Sequence, residues 1–299
     1  MTLLNSAPAV GIVGVGNMGG AIARRLLQLG FSVHVHDIDP NKTTALEKLG
    51  AVVHINAASL SEQARTVIVC VVDHTQVDQL LDPRAKSPWW ETLQAGDTVL
   101  LCPTLAPDYV ESVASRLQAH GVFTIDAPMS GGPVRAEAGT MSLMVACEDA
   151  VFARQEKLLQ AMSDHVFRIG TRVGDGARTK LVNNLLAGIN LVGAAEVMAL
   201  SEHLGLSLDT TLSVIEQSSG QSWIGSERMR RALANDLAPR AHMTLLAKDT
   251  GLAVDAAKTA GFQGVLGPLA AQAFAQACQT GLAQADDAAM LEWIRQQQK

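Results

Sequence analysis

No CxxC spacing occurs among the four cysteines, Cys70, Cys102, Cys147 and Cys278, so a structural zinc site built on paired thiolates is not expected. In a chain of 299 residues, cysteines this scattered read as reduced thiols, mostly buried, which fits the cytosol. The 8 histidines show no HxxxH or HExxH spacing, and no metal is expected. Basic clusters are scarce. The formal net charge is -6, and "RMRR" at 228 to 231 is the nearest thing to a basic run. That run reads as a solvated helix face, so a nucleic-acid partner, which needs clustered Lys and Arg, is not expected. No stretch of about 20 residues is free of polar groups. The nearest, 174 to 200, carries Lys180, Asn183, Asn184, Asn190 and Glu196, and no membrane span is expected. The opening "MTLLNSAPAV" has neither a basic segment nor an apolar one of signal type.

What remains is a globular composition. Hydrophobic residues make up 48% and charged ones 17%, enough for a sizeable core. At roughly 150 residues per domain, the length implies two domains.

The first domain reads as a dinucleotide-binding pattern. The apolar run "AVGIV" leads into "GVGNMGGAIARRLLQLG". Gly14, Gly16 and Gly19 form GxGxxG, with Asn17 and Met18 inside the same turn. A helical pattern follows, with Ile22, Leu26 and Leu29 on one face, and Gly30 stops it. "FSVHVHD" then alternates like a strand and ends on Asp37. Strand, glycine turn, helix and a second strand ending in an acid make a far more specific signal than the glycines alone. Gly14 permits the tight turn, Gly16 lets backbone approach a pyrophosphate, and Gly19 lets the helix pack on the strand. The helix N-terminus then faces the phosphates. Asp37 accepts hydrogen bonds from the adenosine ribose and repels a 2′-phosphate, so the reading favours NAD over NADP. Lys42 nearby softens that exclusion.

The alternation continues through "AVVHI", "TVIVCVV", "DTVLLC" and "VFTIDAP", read as strands with helices between them. This predicts a doubly wound α/β sheet, whose ligands sit at the C-terminal strand ends. Those ends are "VVDHT", "CPTLAP" and "DAPMSGGP". His74 is considered as an acid or base and set aside, because nothing places a carboxylate beside it. Thr104 reads as a turn cap on composition alone. Ser130, Gly131 and Gly132 offer a hydroxyl and backbone N–H groups suited to a carboxylate, or an ordinary turn.

Strand signals stop at about residue 167. From 168 to 299 the pattern is helical, opening with "GDGARTKLVNNLLAGINLVGAAEVMAL". Lys180 and Asn184 stand four apart on one helix face. A lysine there ordinarily points to solvent. Gly170, Gly174 and Gly176 just before it leave room for a ligand to approach. Gly188, Gly193, Ala194 and Ala195 permit close helix approach, and a homodimer or homotetramer formed through this domain is expected.

Four motifs in order, "GIVGVGNMGGAIARRLL", "DAPMSGGPVRAEAGTMSLMV", "GDGARTKLVNNLL" and "LLAKDTGLAVD", resemble the β-hydroxyacid dehydrogenases. That group holds 3-hydroxyisobutyrate dehydrogenase, tartronate semialdehyde reductase and L-threonate dehydrogenase, with 6-phosphogluconate dehydrogenase as a more distant member. The resemblance covers nearly the whole chain. It implies a Rossmann-type domain (1–167) followed by an all-α domain (168–299), joined by a long helix. It also implies NAD-dependent hydride transfer to or from a small hydroxy acid.

The resemblance further implies roles. Lys180 is the catalytic acid or base, and Asn184 helps hold the substrate. Ser130, Gly131 and Gly132 bind its carboxylate end. Thr104 lies by the nicotinamide side, and Lys248 and Asp249 close the site near the nicotinamide, so the polar pair of the long helix would line an interdomain cleft. A lysine serves as base when burial and nearby positive charge lower its pKa. "SSGQSW" is similar to bacterial 3-hydroxyisobutyrate dehydrogenases, whereas the short spacing onward to Lys248 looks more like the L-threonate enzymes. Arg228 and Arg240 are candidate substrate contacts for which surface placement is expected, and Trp223 is expected in the core. An imine reductase or a non-catalytic relative is disfavoured, because both usually lack a lysine at position 180.

Overall fold

The computed structural model describes residues 9–84 and 88–298. Most of the N-terminal segment read above for a signal lies outside the described residues. The chain divides into two compact units, Met1–Lys180 and Leu181–Lys299.

Unit 1 is built on one nine-stranded sheet. Strands β1 (Val10–Val13), β2 (Val33–His36), β3 (Val52–Val53), β4 (Thr66–Val69), β5 (Thr98–Leu101) and β6 (Phe123–Asp126) run parallel in the spatial order β3-β2-β1-β4-β5-β6. Strands β7 (Met129–Ser130), β8 (Ser142–Ala146) and β9 (His165–Gly170) extend it. β8 pairs antiparallel with β6 and β7 and parallel with β9. The six parallel strands match the sequence reading, although the segment at 51–55 shortens to two residues. β7, β8 and β9 are additions to it, and β9 carries the sheet past residue 167.

The helices of this unit are α1 (Asn17–Gln28), α2 (Pro40–Glu47), α3 (Ala57–Ser61), α4 (His74–Leu80), α5 (Pro107–Ala119), α6 (Gly132–Ala138) and α7 (Asp149–Met162). They cover both faces of the sheet, which is why its strands are apolar at nearly every position. Alternate residues feed two separate clusters. Ile12, Ile68, Leu100 and Ile125 pack with Ile22 and Leu26 of α1 and Leu159 of α7. Val13, Val67, Val69, Val99 and Leu101 pack with Leu60 of α3 and Val110, Val113 and Leu117 of α5. The strand order reverses between β1 and β4, the place where such sheets open a crevice for ligands.

Helix α8 (Asp175–His203) begins in unit 1 and runs on into unit 2. Unit 2 continues with α9 (Leu208–Glu216), α10 (Trp223–Leu233), α11 (Met243–Thr259), α12 (Leu266–Ala277) and α13 (Met290–Gln296). Its core gathers Leu191, Ala195 and Met198 of α8 with Met243 of α11, Phe274 of α12 and Trp293 of α13. By length and composition α8 is the one helix among the described residues apolar enough to cross a membrane. Its buried face is instead committed to this core.

The small residues of α8 serve mainly inside the unit. A Cβ on Gly188 would meet Thr250 Cγ2 at 2.6 Å and Phe274 Cε2 at 3.2 Å, and Ala194 packs against Gly225 of α10. Only Gly193 of the small residues named above faces open space. Along α8, Val182, Leu186, Val197 and Leu200 are exposed, and so is Leu204 just past its end.

Three expectations for α10 reverse. Trp223 is 53% exposed, not core. "RMRR" is not a solvated face, because Met229 and Arg231 are buried. Arg228 is not a surface residue: its guanidinium pairs with Asp287 and with Glu227. Arg231 pairs with Asp286 at 3.0 Å. Asp286 is fully buried and accepts three more hydrogen bonds from the chain around it, from the N–H groups of Arg240 (2.8 Å), Ala241 (3.2 Å) and Ala288 (3.0 Å). Burial alone would raise its pKa, but these donors outweigh that and hold it below the usual carboxylate range. Arg240 stays at the surface and pairs with Asp236 at 2.6 Å.

Candidate active site

The glycine turn sits at the end of β1, beside the point where the strand order reverses. Gly14 has φ +85°, which a side chain would resist, and it lies against the backbone carbonyl of Cys70. A Cβ on Gly19 would run into the Gly14 carbonyl oxygen, so only glycine allows α1 to start this close to the strand. A Cβ on Gly16 would touch nothing within 4 Å. No side chain caps the N-terminus of α1 at Gly16. The result is a positive helix end with no side-chain cap and open space at Gly16, an arrangement whose polarity suits a phosphate group. Met18 packs partly on the core, and Asn17 is exposed on the first turn.

Asp37 stands immediately after β2. Its Oδ2 accepts the Val15 N–H at 2.8 Å and its Oδ1 accepts the Asp39 N–H at 2.9 Å. The carboxylate therefore ties the glycine turn to the end of β2. Lys42 Nζ lies 3.6 Å from Oδ1. The caution attached to Lys42 in the sequence is thus a real neighbour of the acid.

The other strand ends hold the remaining unit 1 candidates. Thr104 is half-buried in the turn after β5. Ser130 ends β7, half-buried and paired in register with Ser142 of β8. Gly131 and Gly132 follow with φ +131° and +74°, which explains glycine at both positions. His74 opens α4 with its ring edge-on to Tyr109, 5.8 Å between centroids, and its carbonyl accepts the Tyr109 hydroxyl.

Lys180 and Asn184 are only 7% and 8% exposed, which removes the solvent-facing reading of the lysine. Asn184 Nδ2 donates to Asp249 Oδ2 at 2.5 Å, and its Oδ1 accepts from Asn183 Nδ2 at 2.9 Å. Both ends of the amide are engaged, so its orientation is fixed. Asp249 is buried on α11, and its Oδ1 lies 3.2 Å from Lys248 Nζ. The structure thus links Asn184, Asp249 and Lys248 in one polar chain within unit 2.

One buried acid was not singled out from the sequence. Asp126 ends β6, is 1% exposed, and has Oδ2 accepting the N–H groups of Gly174 and Ala177, each at 2.9 Å. Burial pushes its pKa up to about 6, although the N–H donors of Ala177, Gly174 and Gly176 pull the other way. The only sequence sign was an acid at a strand end inside "DAPMSGGP".

Residues 9–170 match the family described as the NAD binding domain of 6-phosphogluconate dehydrogenase. Residues 174–294 match the family described as NAD-binding of NADP-dependent 3-hydroxyisobutyrate dehydrogenase. L-threonate dehydrogenase of Escherichia coli (strain K12) is 34% identical over 95% of this chain and 93% of its own length. The chain belongs to the β-hydroxyacid dehydrogenase family. Human mitochondrial 3-hydroxyisobutyrate dehydrogenase is 28% identical over 98% of this chain and 88% of its own. The crystal structure of 3-hydroxyisobutyrate dehydrogenase from Salmonella typhimurium superposes with a TM-score of 0.88 at 31% identity, covering 95% of this chain and 99% of that one. As a family member, this β-hydroxyacid dehydrogenase is an NAD(P)-dependent oxidoreductase, and its Rossmann-like sheet and helical unit are the family's fold.

Proposed function

We propose that this enzyme oxidises a small sugar acid of the L-threonate type with NAD, by hydride transfer from the carbon bearing the hydroxyl. The observation that carries the substrate class is the pattern of identity. Five L-threonate dehydrogenases are 30–34% identical over 95–96% of the chain, above the 28% of the human 3-hydroxyisobutyrate enzyme.

In this reading the backbone of the Gly14–Gly19 turn holds the pyrophosphate, with Asn17 and Met18 in the same turn, and Asp37 takes the adenosine ribose. Thr104, Lys248 and Asp249 serve the nicotinamide end. The nicotinamide, when bound, accepts or returns the hydride. Ser130 and the N–H groups of Gly131 and Gly132 bind the substrate carboxylate. Lys180 Nζ takes the hydroxyl proton as the hydride leaves, and gives it back to the carbonyl oxygen in the reverse direction. Asn184, its amide fixed by Asn183 and Asp249, orients that oxygen without moving a proton. Burial of Lys180 and Asn184 supports this assignment, since a lysine serving only solubility has no reason to leave solvent.

The protein acts in the cytoplasm as a homodimer or homotetramer. The exposed row Val182, Leu186, Val197 and Leu200 supports assembly, since apolar side chains recurring along one face of a helix match a second helix. A monomeric mass in solution at micromolar concentration would refute this.

The test is NADH appearance by absorbance with L-threonate, D-glycerate, 3-hydroxyisobutyrate, L-serine and 3-hydroxypropionate, each with NAD and with NADP. Fastest turnover of L-threonate with NAD is expected. Fastest turnover of 3-hydroxyisobutyrate would overturn the substrate class, and silence across the panel from a folded, NAD-binding protein would overturn the reading.

A further inference from the structure

Helix α8 has no cap of its own. Gly174 precedes it and Ala177 is its third residue, and neither side chain can accept a hydrogen bond. In a capping box, the side chain before the helix takes the N–H of the third residue, and the third side chain takes the N–H before the helix. Here those same two donors converge on one oxygen from another element, Asp126 Oδ2 at the end of β6.

The approach is close. A Cβ on Gly176 would lie 2.9 Å from the Asp126 carboxyl carbon, so glycine at 176 is what lets the first turn seat on the acid. Arg178 braces the same turn, with Glu111 of α5 at 2.7 Å and Asp175 at 3.2 Å. Lys180 follows Ala177 by three residues, less than one turn of a rigid helix. In the other direction, Ser130 comes four residues after Asp126 along the chain.

We propose that Asp126 is a positioning residue for the reaction, holding the first turn of α8 on β6 and so fixing where the Lys180 ammonium stands. This rests on the assignment of Lys180 made above. Asp126 touches neither substrate nor cofactor in this account; it acts through the helix that carries the lysine. Displacing a reacting group by about 1 Å costs up to about 100-fold in rate.

The experiment compares Asp126→Ala, Asp126→Asn and Lys180→Ala in the full-length chain. An asparagine can place its single amide oxygen where Oδ2 stands and accept both N–H groups. Asp126→Ala is expected to lower kcat about 10- to 100-fold, with KM for the hydroxy acid and Kd for NAD within about threefold. Asp126→Asn is expected to recover most of that loss. Asp126→Thr replaces the alanine form if that form does not fold, since its hydroxyl stops one atom short of both donors. Hydrogen exchange over residues 174–180 gives a readout independent of turnover, and it should quicken in the Ala or Thr form but not in the Asn form.

A full kcat in Asp126→Ala or Asp126→Thr, with Lys180→Ala inactive, would overturn the positioning role and leave the lysine assignment intact. Equal loss in kcat and NAD affinity, with no recovery in Asp126→Asn, would mark Asp126 as a general structural residue and overturn the proposal as well. A fully active Lys180→Ala would instead overturn the reading on which the proposal rests.

Discussion

Replacing Asp37 by alanine should weaken NAD binding through two routes at once. The first is the ribose contact proposed for Asp37, a hydrogen bond to a carboxylate worth up to about 3 kcal/mol. The second is internal. Asp37 Oδ2 accepts the Val15 N–H at 2.8 Å, and Val15 is buried. Removing the acceptor strands a buried donor, a cost of about 1–3 kcal/mol that falls on the glycine turn itself. The Asp39 N–H can turn to water, and the exposed Lys42 pair adds at most about 1 kcal/mol. Together these come to at least about 2 kcal/mol, an expected rise in NAD Kd of at least about 30-fold, since each 1.4 kcal/mol is about tenfold. NADP should respond differently. The same substitution removes a carboxylate whose repulsion of a phosphate about 4 Å away is roughly 4 kcal/mol at an effective dielectric of 20. It also leaves Lys42 in place. The preference for NAD over NADP should therefore fall at least about tenfold. Asp37→Asn should lie between, because one amide oxygen can serve Val15 or Asp39 but not both. Titration of each dinucleotide into each variant by calorimetry measures this. An NAD Kd within twofold of the parent in Asp37→Ala would refute both routes.

Other expectations concern stability. Gly19→Ala sets a Cβ against the Gly14 carbonyl oxygen, and overpacking of this kind costs about 1–3 kcal/mol; thermal unfolding should show a lower Tm, and an unchanged Tm would contradict the close approach. Asp286→Ala removes the nearest carboxylate from buried Arg231 and leaves it Asp236 at 3.6 Å, Glu227 at 4.0 Å and the Ala238 carbonyl, a loss of up to about 3–5 kcal/mol. Because the folded pKa of Asp286 is depressed, its contribution is present above the unfolded value and is lost as pH falls through the folded one, so the parent should lose helical signal in acid more steeply than the variant. Asp126 has the opposite sign. Its folded pKa is raised to about 6, so the folded state binds the proton more tightly and stability falls as pH rises from about 4 to about 6. Asp126→Asn should flatten that slope, as followed by urea unfolding at each pH, and an unchanged slope would contradict the assignment.

The dinucleotide half was legible because its signals are local. Gly14, Gly16 and Gly19 fall within six residues, and Asp37 ends the next strand. The i and i+4 spacing put Lys180 and Asn184 on one face, but spacing alone left the lysine facing solvent, and only the family resemblance pointed the pair inward. What escaped the sequence depends on distant partners. Asp126 meets its donors 48 and 51 residues away, and no local pattern announces them. Arg228 and Arg231 looked like a solvated run because their carboxylates, Asp287 and Asp286, lie on the far side of α11 and α12 in sequence. Strand β9 escaped because its alternation is shallow, with most of its residues only half-buried.

The central claim is that Lys180 moves the proton. Its most direct test is turnover of Lys180→Ala, with NAD affinity measured on the same preparation. The account predicts a loss of at least about 100-fold in kcat, in line with general acid–base contributions, at an NAD Kd close to the parent's. Near-normal turnover of the folded variant would contradict it.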